Sequence, residues 1–203
     1  PLHTALAVYG CVLGYDLIAD EMKDKELSEL VRRIGLVEGM PVVTNPGIID
    51  PEKFADEVIN VRIPNPFMPD TPQRIATDTS QKVGIRYGET IKSYVAKDGS
   101  ARALTAIPLA IAGWCRYLLG IDDNGEAFEL STDPMADELK SQLDGIVWGE
   151  PSSYTGQLKN LLSNANIFGI NLYEAGIGDK IEEMFVEEIS GKGAVRETLK
   201  KYF

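Results

Sequence analysis

No part of this chain sustains an alternation of apolar and polar residues, whereas helical spacing recurs from one end to the other. Alternation is what a half-buried strand needs, and spacings of three and four are what a helix needs. A chain carrying only the second pattern buries its apolar stripes helix against helix, so the fold class is all-α and multi-helical. Residues 3–22 set the centre of such a packing. Leu6, Tyr9, Leu13 and Leu17 recur at helical spacing, and Gly10 and Gly14 leave room for a close neighbour. The apolar face is wide, as expected of a central helix. Residues 101–119 form a second strongly apolar helix, in which Pro108 predicts a kink.

Shorter helical patterns fill the rest. Residues 25–38 carry Leu27, Leu30, Val31 and Ile34 on one face. Asp50-Pro51 is a helix start, with Asp as the cap and Pro at the first helical position, and that helix runs to about residue 60. Pro64, Pro66 and Pro69 make residues 63–70 an ordered loop. Asp70-Thr71-Pro72 opens a short helix through residue 76, and two more helices are expected at 80–86 and 89–96. After a polar turn at 122–125, Asp133-Pro134 caps a helix reaching residue 143, and residues 153–162, 177–190 and 193–202 also read as helical. There is no internal repeat or low-complexity stretch. The proline loop lies within a domain, so residues 1–203 are expected to form one helical domain.

The 31 Asp and Glu outweigh the 20 Lys and Arg, for a net charge of −11. That field argues against nucleic acid or an anionic membrane as partner, although a local cluster of cations can still bind a small anion. No apolar run has membrane-spanning length, and no signal peptide is visible. Cys11 and Cys115 fall in apolar helical stretches and read as buried free thiols of a cytoplasmic protein. Neither forms a zinc-type spacing with histidine or another cysteine. The chain opens at Pro1 and runs directly into a helix, which reads as part of a longer protein.

Candidate chemistry is concentrated in one segment. Arg74, Lys82 and Arg86 lie at spacings of eight and four, interrupted by Asp78 and small polar residues. Arginine offers a planar fork of donors to a carboxylate or to vicinal hydroxyls, and lysine a point charge. Lys82 and Arg86 share a face if the segment is helical. The competing reading is a solvated helix face whose cations pair with Asp78 or Glu89. His3 is the sole histidine and by itself is a weak signal. The carboxylate pairs Glu182-Glu183 and Glu187-Glu188 fall on polar helix faces and suggest no metal site. Glycine-rich phosphate loops and the strand-linked serine elbow of hydrolases are absent.

The opening residues, from Pro1 to Tyr15, resemble a segment of the polyol-specific long-chain dehydrogenases, a family of mannitol dehydrogenases, fructuronate (mannonate) reductases and their relatives. Its junction signature is Lys, four residues, Asn, two residues, His, then a small-residue helix. His3 followed by Thr4, Ala5, Leu6 and Ala7 fits the end of it, and the Lys and Asn would precede Pro1. Asn65-Pro66, Asp70-Thr71, Arg74-Ile75, Asp78 and Lys82 resemble a second block of the family.

The resemblance implies an all-helical C-terminal substrate domain, similar to those of mannitol dehydrogenases and 6-phosphogluconate dehydrogenase-like enzymes. It further implies an upstream dinucleotide-binding domain holding NAD or NADP. It makes His3 a residue that orients a substrate oxygen, the base being the upstream lysine with no metal required. It makes Arg74 and Lys82 substrate contacts, with Arg86 added for an acidic substrate. The activity implied is interconversion of a sugar alcohol and a ketose, of the mannitol/fructose type, or alternatively of mannonate and fructuronate. A reading of another class is a non-catalytic helical interaction module presenting the apolar faces of residues 3–22 and 101–119.

Overall fold

The computed structural model describes residues 1–203 and contains thirteen α-helices, with no β-strand beyond two isolated bridges. Its centre is the pair α1 (Leu2–Leu13) and α8 (Ala106–Tyr117). These helices pack against each other, and α12 (Gly178–Glu188) also packs on α8. Gly113 makes the crossing possible, because a Cβ there would sit 2.5 Å from the Tyr9 ring. Every residue of α8 and nearly every residue of α1 is buried, so both apolar helices are core. The interaction-module reading loses its surface on this point: neither helix has a free apolar face.

The expected helix over residues 3–22 is two helices. Gly14 adopts φ 80° and ends α1 in a left-handed turn, and α2 (Ile18–Glu21) restarts after an extended Leu17. Pro108 does not kink a helix over 101–119, because α8 begins only at Ala106 and the proline falls in its first turn. A missing N–H costs nothing there. The three preceding N–H groups, of Thr105, Ala106 and Ile107, all donate to the buried Glu38 carboxylate at 2.6–2.8 Å. Glu38 thus caps α8 from a distant element.

The pattern over 25–38 is α3 (Lys25–Arg32), continued by a π-helical stretch, Arg33–Gly39, and a 3₁₀ turn, Met40–Val42. Asp24 caps α3 through Glu26 and Leu27 N–H and also holds Arg196 of the last helix at 2.6 Å. Asp50 caps α4 (Pro51–Glu57) as expected, and a second π-helical stretch, Val58–Arg62, follows. Thr71 caps α5 (Pro72–Ile75). The two helices expected at 80–86 and 89–96 are one continuous rod: α6 (Thr79–Val83), a third π-helical stretch Gly84–Gly88, and α7 (Glu89–Asp98). Gly88 falls in the expected gap, yet it and Gly84 instead admit a neighbour. A Cβ on Gly88 would fall 1.8 Å from the Phe168 carbonyl oxygen, and one on Gly84 2.7 Å from that of Ile167.

Beyond α8 the elements are shorter: α9 (Ala136–Gln142), α10 (Lys159–Leu162), α11 (Ala165–Phe168), then α12 and α13 (Ala194–Tyr202). Only the last four residues of the helix expected over 153–162 are α-helical, after a 3₁₀ turn at Pro151–Ser153. No helix is long and apolar enough to cross a membrane.

Two acids are fully buried in the core, and both are pushed upward. Tyr9 Oη lies 2.7 Å from the Leu109 carbonyl and 2.6 Å from a Glu188 carboxyl oxygen. A phenol has one proton for two such contacts, so a protonated Glu188 completes the chain. Burial raises Glu188 to about 8, against the Tyr9 hydrogen bond and the nearby Arg116 charge. Glu21 lies at 0% exposure with no protein partner on either oxygen, and burial, then the Asp24 charge, raises it to about 10. Cys11 and Cys115 are free and buried, and burial pushes both thiols up, Cys11 to about 12.

Candidate functional site

A cavity of about 870 Å³ opens between the first turn of α1, the π-helical stretch after α3, α4 and the α6–α7 rod. All three π-helical stretches contribute to its wall, through Ile34, Gly35 and Gly39, through Val58, and through Arg86. A π turn inserts an extra residue and re-aims the side chains on it, a device common at functional sites.

His3, Lys82 and Arg86 all line this cavity, together with Asp70. The fold brings them together from far apart in sequence. Tyr87, buried on the rod, donates its hydroxyl to the Pro1 carbonyl at 3.1 Å, tying the turn that carries His3 to the helix that carries Lys82 and Arg86. The Gly84 and Gly88 contacts with the backbone of α11 fix that helix from the other side.

His3 is half-buried and its ring makes no hydrogen bond within the protein. Burial lowers its pKa most, the amino group of Pro1 adds to the shift, Asp70 opposes it, and Arg86 adds least. The imidazole is therefore neutral at pH 7, with one N–H to donate and one nitrogen to accept. Lys82 donates to the Ile75 carbonyl at 3.0 Å and has no carboxylate partner. Arg86 is exposed in the cavity, and its guanidinium forms neither an ion pair nor a hydrogen bond within the chain. The alternative of a solvated face paired to Asp78 or Glu89 does not describe these two cations. Glu89 is taken by Lys92 at 2.8 Å.

Arg74 is placed differently. Its side chain is 73% exposed, does not line the cavity and pairs with Asp70. The Thr71 cap and Pro72 start α5 so that position 74 faces outward, one turn from Asp70. Asp70 was legible as part of a helix start and of the second family block, and its i,i+4 spacing to Arg74 is the signal that links it to the site. Glu38 carried no signal at all, because its three acceptor contacts come from 67 to 69 residues away. No cluster of three or more His, Cys, Asp or Glu side chains is placed to hold a metal ion. No strand–turn–helix unit of the dinucleotide-binding kind is present.

Comparison with known proteins places this architecture. The model of the mannitol dehydrogenase C-terminal domain matches residues 2–189. A D-mannonate oxidoreductase of Thermotoga maritima is 57% identical over 202 residues, covering 99% of this chain and 37% of that protein. A D-mannonate oxidoreductase of Escherichia coli is 31% identical over 138 residues, which is 68% of this chain and 27% of that protein. Among solved structures, Pseudomonas fluorescens mannitol 2-dehydrogenase, in a ternary complex with NAD and D-mannitol, superposes with a TM-score of 0.81 at 23% identity, over 98% of this chain and 38% of that one. The chain thus spans well under half the length of the relatives it matches.

Proposed function

Because the chain belongs to the mannitol dehydrogenase C-terminal domain family, we propose that it is the substrate-binding half of a metal-independent, NAD(P)-dependent oxidoreductase. The enzyme would interconvert a secondary alcohol and a ketone on a sugar alcohol or sugar acid. The observation that carries this reading is the convergence of His3, Lys82 and Arg86 on one cavity, with donors free to meet a polyhydroxylated ligand. The nicotinamide, held by a dinucleotide-binding domain outside this chain, would supply or accept the hydride.

The residues of this chain have binding and orienting roles. The neutral His3 ring holds the reacting oxygen by hydrogen bonding and is not itself the base. Lys82 binds groups farther along the substrate, Arg86 adds a contact only for an acidic one, and Arg74 acts at the rim through Asp70. Val43 and Phe54 are exposed on the cavity wall, where the dinucleotide-binding domain would cover them.

Two substrate types were open from sequence, mannitol with fructose and mannonate with fructuronate. The unpaired cations and the 57% identical D-mannonate oxidoreductase favour the second. The test is turnover by the intact reading frame. Oxidation of NADH and NADPH is followed with fructose, fructuronate and tagaturonate in the presence of EDTA. Turnover of one of these, resistant to chelation, supports the reading. A folded enzyme that binds NADH and reduces none of them refutes it, and loss of activity in EDTA refutes metal independence.

A further inference from the structure

The cavity is electrostatically unbalanced. Lys82 and Arg86 both line it without a counter-ion, and the carboxylates that share its wall are engaged, Asp70 with Arg74 and Glu89 with Lys92. This occurs in a chain of net charge −11, where carboxylates to pair them are abundant. A neutral polyol carries no charge to balance such an excess. An anionic substrate does. Guanidinium matches a carboxylate with two parallel hydrogen bonds, a geometry that ammonium does not offer. Arg86 sits in the middle of the π-helical stretch Gly84–Gly88, whose two glycines press on the backbone of α11. Its backbone is thereby fixed while its side chain is left without a protein partner. Arg86 and His3 line the same cavity, so one bound molecule can meet both.

Resting on the functional reading above, we propose that Arg86 is the specificity-determining residue of this site. It receives the terminal carboxylate of a sugar acid, while Lys82 and His3 take hydroxyl and carbonyl oxygens that neutral and acidic sugars share. Removing the guanidinium then costs the acidic substrate a charge-assisted pair and costs the neutral one nothing.

The test uses the full-length enzyme from the intact reading frame, with Arg86→Gln and Arg86→Lys. For Arg86→Gln, kcat/KM for fructuronate falls roughly 10- to 100-fold, mainly through KM. Values for fructose and the KM for NADH stay within about twofold, and Arg86→Lys recovers part of the loss because the charge is kept. An equal loss on fructose and fructuronate overturns the proposal, and so does a rise in the NADH KM, which would place Arg86 on the cofactor. Calorimetric titration with mannonate and with mannitol reads the same claim without turnover. Mannonate binding weakened 10- to 100-fold with mannitol binding unchanged supports it, even if no sugar is reduced and the activity assignment fails. Equal affinities in wild type and Arg86→Gln, or no mannonate binding by wild type, overturn it.

Discussion

Glu21→Gln isolates the energetic consequence of burying an acid with no partner. Glu21 lies at 0% exposure against α1, where a Cβ on Gly10 would meet one of its oxygens at 2.2 Å and the Pro72 ring at 2.7 Å. Its ordinary value of 4.5 is raised to about 10, first by burial and then by the Asp24 charge, so the folded protein holds the group protonated at pH 7. The unfolded chain releases that proton above 4.5. A raised acid contributes stability that is fully present below its unfolded pKa and is lost as pH rises toward its folded one. Each pH unit in that window is worth about 1.4 kcal/mol, so protonating Glu21 at pH 7 costs about 3 kcal/mol. This figure does not depend on how far above 7 the folded value lies. Glutamine keeps the shape and cannot ionise. Its amide brings an unpaired donor costing roughly 1–3 kcal/mol, but that penalty does not change with pH. The assay is urea unfolding of wild type and variant at several pH values between 5 and 8. The stability difference is expected to move in favour of glutamine by about 1.4 kcal/mol per unit, or about 4 kcal/mol across the range. Glu188 titrates in both proteins and cancels in the comparison. Parallel stability curves would refute the reasoning, because Glu21 would then be ionised in the fold or solvated by local opening.

Asp24 runs the other way: burial works against its ionisation, yet hydrogen bonds from Arg196, Tyr15 and the Leu27 N–H outweigh it and hold the group down to about 2. Its contribution is therefore complete above about 3.8 and lost as pH falls toward 2, and Asp24→Asn is expected to cost about 2–4 kcal/mol at pH 7 but little at pH 2, measured by denaturation at both. Gly88→Ala places a methyl 1.8 Å from the Phe168 carbonyl, so the rod must shift; a stability loss of roughly 2 kcal/mol or more is expected, with a weakened sugar affinity, and a neutral result would mean the contact is absent in solution. Arg74→Ala removes an exposed partner of Asp70, so a stability loss under about 1 kcal/mol is expected from unfolding curves. The same change should raise the sugar KM less than Arg86→Gln does, and the reverse ranking would put Arg74 inside the working site.

The helical class and most helix starts were legible because they depend on local chemistry. Asp50 with Pro51 and Thr71 with Pro72 satisfy orphan N–H groups within a few residues, so the sequence shows both cap and helix. The errors fall where a distant group decides. Pro108 reads as a kink until Glu38, from another helix, is seen to terminate the N–H groups before it. The gap at residues 87–88 reads as a break until α11 is laid across Gly84 and Gly88, and α11 itself has only four residues and no periodicity to detect. Gly14 reads as a packing glycine within one helix, whereas its left-handed conformation ends that helix.

The same distinction explains the site. Spacing put Lys82 and Arg86 one turn apart, but it left their pairing open, because whether a cation is free depends on what the rest of the fold offers it. Here the acids on the cavity wall are already committed, Asp70 to Arg74 and Glu89 to Lys92, each to a residue three or four positions along the chain. Those local pairs keep the cavity positive although the chain as a whole is strongly negative. Arg74 therefore has a consequence for binding even from outside the wall. Releasing Asp70 by Arg74→Ala would leave a carboxylate facing the cavity and partly cancel the field of Lys82 and Arg86. Weakening should then be greater for an acidic sugar than for a neutral one and should diminish in high salt, since partly exposed charges are screened. Equal, salt-independent losses on both sugars would instead mean that Arg74 acts by shape alone.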